Sequence, residues 1–335
     1  MPDQPILSAT DERLIAMRFK AGANEHEHIS VEQISDTLED DSFLLWLDIT
    51  APQTDDLPRL VEEFGLHPLA LEEMLVDHPR PKCMEFPGFY LLIIYAVDEE
   101  KNPNSPMRQI VIFISRRWLI TTHLKPCPEV EECIQRWKSS HLLKDDTVAA
   151  PVYSLLDTVV DAYFPVCDAI SDAVENLEDR LFAGETRDQD IQELFDLKKS
   201  MLSMRRFLSA ERDALNLMLR QDVPVFSDGA TIYLQSVYDH LVRLVESIDT
   251  YRDLLASAMD IHLSVISNRL NQVMKTLTVI SALFMSASLI SGIYGMNTGG
   301  ITPGPNDPTA FWKVIGMIGG TSALLGILFW KLKWY

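Results

Sequence analysis

The amino-acid sequence predicts an α+β cytoplasmic domain with a small mixed sheet, then a very long stalk helix and two C-terminal transmembrane helices. Three observations predict it. Residues 1–145 alternate short β-rich runs with helical patterns. No proline occurs between Pro224 and Pro303, and from about Thr231 the apolar spacing is helical without interruption. Two uncharged apolar runs, 277–296 and 314–330, follow near the end.

The β-rich runs are 14–19, 44–49, 89–97, 109–115 and 118–123, with helical patterns at 31–38, 55–64, 68–76 and 129–139 between and after them. Residues 151–182 then read as one helix with Pro151 in its first turn, where a missing N–H costs nothing. Residues 188–221 form an amphipathic helix through Ile191, Leu194, Leu197, Met201, Met204 and Leu208. The last pattern runs through Leu234, Val237, Leu241, Leu244, Val245, Ile248, Tyr251 and Leu255 directly into the first span. A helix over 231–296 is about 100 Å long, far more than a bilayer needs, and joins stalk and span in one rod able to carry a movement to the membrane. The partition expected is 1–145 for the α/β domain, 146–276 for the stalk, 277–297 and 310–335 for the two spans with the basic tail, and 298–309 for the loop between them.

Composition narrows the function. The chain has 335 residues, 47% of them hydrophobic, which supports a real core. The net charge is −20. Residues 275–335 hold Lys275, Lys313, Lys331 and Lys333 against Asp307 alone and so carry +3, which leaves −23 on the rest. Such a body is a poor nucleic-acid binder; it serves solubility or gathers cations. Four cysteines without a C-x-x-C suggest a reduced compartment, and the polar start lacks the features of a signal peptide. There is no nucleotide-binding, zinc-protease or nucleophile-elbow motif, so no enzyme and no cofactor is expected.

The flanks of the spans set an orientation. Arg269 and Lys275 precede the first and Lys331 and Lys333 follow the second, whereas 297–309 has no Lys or Arg. The positive-inside rule puts both termini in the cytoplasm of an inner (plasma) membrane, with Lys313 snorkelling at the outer edge. The second span carries Gly316-x-x-x-Gly320, read either as a close-packing face or as ordinary membrane glycine. The first is rich in hydroxyls: Thr278, Ser281, Ser286, Ser288 and Ser291.

Steps of three and four along the first span meet Asn271, Met274, Thr278, Ser281, Met285, Ser288, Gly292 and Gly295, with Leu277 at the border. One face is therefore polar, small or thioether, and no fixed charge lies on it within the span. Such a face suits either a water-filled path or close helix packing. Two spans enclose no pore, so a pore requires a ring of several copies.

The first span ends in Tyr294-Gly295-Met296-Asn297. Gly-Met-Asn at the outer end of the first of two C-terminal spans resembles the signature of the CorA/ZntB family of divalent-cation transporters. The stretch from Met274-Lys275-Thr276-Leu277 to Asn297 matches too, as do His67-Pro68-Leu69-Ala70-Leu71-Glu72-Glu73, Arg80-Pro81-Lys82, Tyr153-Ser154-Leu155-Leu156-Asp157 and Lys331-Leu332-Lys333-Trp334. The resemblance implies a homopentameric funnel in a lipid bilayer that carries Mg²⁺ or Zn²⁺, with Co²⁺ and Ni²⁺ as further candidates. It implies a selectivity filter at Gly295, Met296 and Asn297, with Asn297 amides binding the water shell of the ion, and a pore lined by Asn271, Met274, Leu277, Thr278, Ser281, Met285, Ser288 and Gly292.

This sequence departs from the family in three places. The intracellular divalent sensor would use Glu73 beside Glu72, but its stalk-side aspartate falls on Ser236; Asp239 or Asp260 are the candidate replacements. The proline frequent after the pore methionine is Ser286. The loop Thr298-Gly299-Gly300-Ile301-Thr302-Pro303 lacks an acidic cluster and looks more like the ZntB branch, although the first span and loop hold no His or Cys for a tight zinc cage. A non-conducting, membrane-anchored metal sensor or scaffold is the alternative function. Weaker metal-ligand patterns are His26-x-His28 and His123-x₃-Cys127-x₅-Cys133, and His262 reads as a packing or interface residue.

Overall fold

The computed structural model describes residues 13–20, 26–76, 80–97, 107–139, 147–183, 187–220, 225–296, 303, 308–332 and 334. The chain forms two compact units, Met1–Leu177 with Asp188–Leu255 and Glu178–Arg187 with Ala256–Tyr335.

The first unit is built on a seven-stranded sheet: β1 (Leu14–Lys20), β2 (His26–Ile29), β3 (Phe43–Thr50), β4 (Lys82–Phe86), β5 (Phe89–Val97), β6 (Met107–Ser115) and β7 (Trp118–His123). The order is β2-β1-β3-β7-β6-β5-β4, with β3 and β7 parallel and all other neighbours antiparallel. The sheet is thus mixed, as expected. The central strands are buried on both sides and so read as continuous apolar runs. The two strands missing from the sequence reading, β2 (HEHI) and β4 (KCMEF), are the edges. One side of an edge strand faces solvent, so charged residues replace the hydrophobic run that betrays an inner strand.

Side chains alternate across the sheet. Leu91, Ile93, Val111, Phe113 and Ile120 face a cluster with Ile34 of α1 (Ile34–Glu39), Leu60 and Phe64 of α2 (Leu57–Phe64) and Ala70 and Leu71 of α3 (Pro68–Glu72). Gly65 ends α2 in the left-handed region at φ 65°, its N–H bonded to Val61 O at 3.0 Å. α4 (Pro128–Ser139) matches the helical pattern over 129–139, whereas α3 stops at Glu72, short of the expected 76. Leu92 and Ile94 face the other way, toward Leu156, Val159 and Val160 of α5 (Ala149–Asp161) and Leu215 of α7 (Asp188–Leu219).

The helix expected over 151–182 is two helices, α5 and α6 (Tyr163–Ala183). Pro165 is the reason: it has no N–H to give the carbonyl of Asp161, so the ladder breaks between them. The rod is present. α8 (Asp228–Tyr294) runs unbroken for 67 residues, about 100 Å. α9 (Ala310–Lys331) follows with 22 residues, none of them buried. Both contain a stretch apolar enough to cross a membrane, with mean hydropathy 1.8 and 1.5.

Candidate functional site

Within the second unit, the C-terminal part of α8 has two unlike faces. Val279, Ala282, Leu283, Ser286, Ala287, Ile290 and Tyr294 are the less exposed residues. This face turns to α9, where the Tyr294 hydroxyl lies 3.9 Å from Met317 Sδ. The stripe lies on the far side: Asn271, Met274, Leu277, Thr278, Ser281, Met285, Ser288, Gly292, Gly295 and Met296 are all exposed in the single chain. Beside it runs an exposed apolar seam at alternating steps of three and four, Leu263, Ile266, Leu270, Val273, Leu277, Ile280 and Phe284.

Thr278 donates its hydroxyl to Met274 O at 2.7 Å, and Ser286, on the packed face, donates to Leu283 O at 2.9 Å. Near the start of the apolar stretch, Asn268, Asn271, Gln272, Met274, Lys275, Thr278 and Trp334 line an open groove of about 550 Å³. Trp334 is set there by stacking on Phe329 and by its N–H bond to Phe329 O at 3.1 Å.

At the other end α8 closes on Gly295, whose N–H bonds Ser291 O at 2.9 Å. A Cβ at Gly295 would stand 3.0 Å from that carbonyl oxygen, close enough that one of the two must give by a few tenths of an ångström, whereas Gly292 has open space around it. Asn297 and residues 298–302 and 304–307 of the loop expected over 298–309 lie outside the described residues.

The body residues proposed for metal are each otherwise engaged or exposed. Glu72 is exposed, and Glu73 pairs with Lys82 Nζ at 2.5 Å. Asp239 accepts from Gln235 Nε2 at 3.1 Å, and Asp260 is exposed. His26 and His28 share one face of β2, with rings 5.7 Å apart edge to face. His123 is tied by Nδ1 to Lys125 O at 2.6 Å and by Nε2 to Asp48 Oδ2 at 3.3 Å. Cys127 Sγ instead faces Glu129 at 3.1 Å, and burial first, then Glu129, raise its thiol far above the usual range. Cys133 turns to Pro151 O at 3.9 Å. Thus His123, Cys127 and Cys133 form no shared site.

The structure groups other residues. Asp157 and Asp161, one turn apart on α5, meet His240 of α8, with ligand-type atoms within 4.8 Å of one another. Among the described residues this is the grouping of three such side chains, and it includes none of Glu72, Glu73, Asp239 and Asp260. The Asp-x₃-Asp spacing was legible on the helix; the approach of His240 from 79 positions further along was not.

The cobalt/magnesium transport protein CorA of Thermotoga maritima is 28% identical over 303 residues, 88% of this chain and 84% of that protein. The divalent cation transporter CmaX of Pseudomonas aeruginosa is 25% identical over 304 residues, 90% of each chain. The complete structure of the CorA magnesium transporter from Methanocaldococcus jannaschii superposes with a TM-score of 0.76 at 25% identity, covering 96% of this chain and 99% of that one. A profile of the CorA-like Mg²⁺ transporter protein family matches residues 41–332, and the chain belongs to that family.

Proposed function

We propose that this protein is an integral membrane transporter of divalent metal cations, working through a pore lined by the stripe of α8. One observation carries the reading. In a member of this family, the helix long enough to span a membrane turns an uncharged face of Asn271, Met274, Thr278, Ser281, Met285, Ser288 and Gly292 away from its own second span. Hydroxyl and amide oxygens on that face accept hydrogen bonds from the water shell of a cation. Met274, Leu277 and Met285 supply apolar constrictions that close by dewetting.

The exposed seam from Leu263 to Phe284 supports assembly of several copies, which the family resemblance makes five. Gly295, Met296 and Asn297 form the filter in this reading, with both termini in the cytoplasm. Mg²⁺ holds its water tightly and is read by its shell; Zn²⁺, Co²⁺ and Ni²⁺ compete for the same hydrated route. A non-conducting scaffold is not favoured, because the relatives that match nearly the whole chain are cation transporters.

Flux into proteoliposomes tests the reading. Mg²⁺, Zn²⁺, Co²⁺ and Ni²⁺ are offered separately, with and without a proton gradient. Uptake of at least one is expected. Assembled protein that passes none of the four sinks it.

A further inference from the structure

Glu211, on α7, is 2% exposed and belongs to neither the stripe nor an ion pair described above. Its Oε1 accepts the main-chain N–H of Tyr95 on β5 at 2.8 Å. The same oxygen stands 3.1 Å from the hydroxyl oxygen of Tyr163 on α6, and that hydroxyl stands 2.5 Å from the carbonyl oxygen of Tyr95. β4 pairs with β5 only as far as Ile93, so these two side chains serve the main chain of Tyr95 beyond the end of the edge strand.

The hydrogens can be counted. A carbonyl has none to give, so the 2.5 Å contact takes the one hydrogen of Tyr163. The 3.1 Å contact is the weaker branch of the same hydroxyl hydrogen, so both donors that meet Glu211, the Tyr95 N–H and the Tyr163 O–H, fall on Oε1, and Oε2 is the oxygen open to an acid hydrogen beside the void.

The surroundings agree. Leu92 and Ile94 of β5, Leu156, Val159 and Val160 of α5, Leu215 of α7, and Val237 and Leu241 of α8 line a void of about 10 Å³ against Glu211. That is room for about one water molecule. From α6 the facing group is Tyr163, fully buried. From β6, Gln109 holds the Tyr95 hydroxyl at 3.2 Å. From α4, Glu129, paired with Arg108 at 2.9 Å, acts on Tyr163 by its charge. Burial lifts the Glu211 carboxyl to about 8, against the opposing pull of the Tyr95 N–H and the Tyr163 hydroxyl.

We propose that Glu211 is held as a neutral carboxylic acid and acts as a pH-sensitive latch joining β5, α6 and α7 beside the first turns of α8. On ionisation its O–H bond breaks and the proton passes to water entering the void. The carboxylate then draws the shared hydrogen of Tyr163 away from the Tyr95 carbonyl. Val237 and Leu241 line the same void, and their helix continues unbroken into the stripe. Alkaline conditions therefore act on the transport helix, a consequence that rests on the transport reading; the protonation itself does not.

Infrared difference spectra of the full chain in liposomes, wild type against Glu211→Gln, test the latch between about pH 6 and about pH 9, either side of the shifted value. A protonated-carboxyl C=O band is expected in the wild type, absent from the variant, and lost as pH rises through about 8. No band at any pH overturns the proposal. Tyr163→Phe serves if the glutamine variant fails to fold: the band should shift as the hydrogen-bond donor to its oxygen is lost, and an unmoved band overturns the proposal. Flux is then compared at the same two pH values. A ratio that changes in the wild type and not in Glu211→Gln supports regulation, and equal ratios overturn it. Absence of flux from every sample, with the band present, counts against the transport reading and not the latch.

Discussion

Thr278 gives its hydroxyl hydrogen to the carbonyl of Met274, 2.7 Å away on the exposed face of α8. The hydrogen is spent inside the helix. The oxygen then offers lone pairs outward, acceptors for the water shell of a cation. A back-bonded hydroxyl so becomes a one-sided dipole, selective for what donates to it.

Thr278→Val keeps the shape and removes the acceptor. One hydrogen bond is worth about 1 kcal/mol, so divalent uptake should fall by roughly fivefold to tenfold per copy engaged, with folding unchanged. Thr278→Ser should retain uptake. Flux assays on both variants check this.

Asn297→Ala should abolish uptake in proteoliposomes while leaving assembly intact by size-exclusion chromatography, because the proposed filter would lose the amide that meets the hydrated ion. Uptake equal to wild type would remove Asn297 from the filter.

Gly292 and Gly295 should answer differently to alanine. Gly292 has space, and the gain in helix propensity is worth roughly 1 kcal/mol in thermal unfolding. At Gly295 the new Cβ would stand 3.0 Å from Ser291 O, so Gly295→Ala should gain less stability than Gly292→Ala and, in the transport reading, reduce flux by shifting the end of α8.

Asp48 accepts the hydroxyl of Thr121 and lies 3.3 Å from His123 Nε2, both ion-pair side chains 5% exposed. Asp48→Ala strands those partners and should cost about 3–5 kcal/mol in urea unfolding. Burial alone would lower His123. The bond and charge of Asp48, with Lys125 O and Glu131, outweigh it and hold the imidazole above its ordinary value. The sign follows: this stability is complete below the ordinary imidazole value and is lost as pH rises through the raised one. Glu211, also raised, adds loss in the same direction between its usual carboxylate range and about 8. Urea midpoints should therefore fall from about pH 5 to about pH 9, and Glu211→Gln should flatten the slope.

The inner strands, the long helix and both spans were legible because each is marked by a run of apolar residues with one clear period. The edge strands β2 and β4 were not, since solvent on one side allowed His26, Glu27, Lys82 and Glu85 into them. The break before α6 is written in Pro165, under an apolar pattern that runs across it without interruption. Of the candidate site, the stripe was read residue by residue, and Glu73 was read without its partner Lys82.

The sequence by itself determined the spans, the rod, the uncharged stripe and the family, because hydrophobic period, charge and a short motif are local properties of the chain. Only the tertiary structure decided which face of α8 is left open, that Asp157 and Asp161 meet His240, and that Glu211 is buried against Tyr95 and Tyr163. On a helix reading, Glu211 sits between Ala210 and Arg212 like any surface acid. What raises its carboxyl is the packing of α5, β5 and α8 around it, and low dielectric is a property of neighbours brought together by folding.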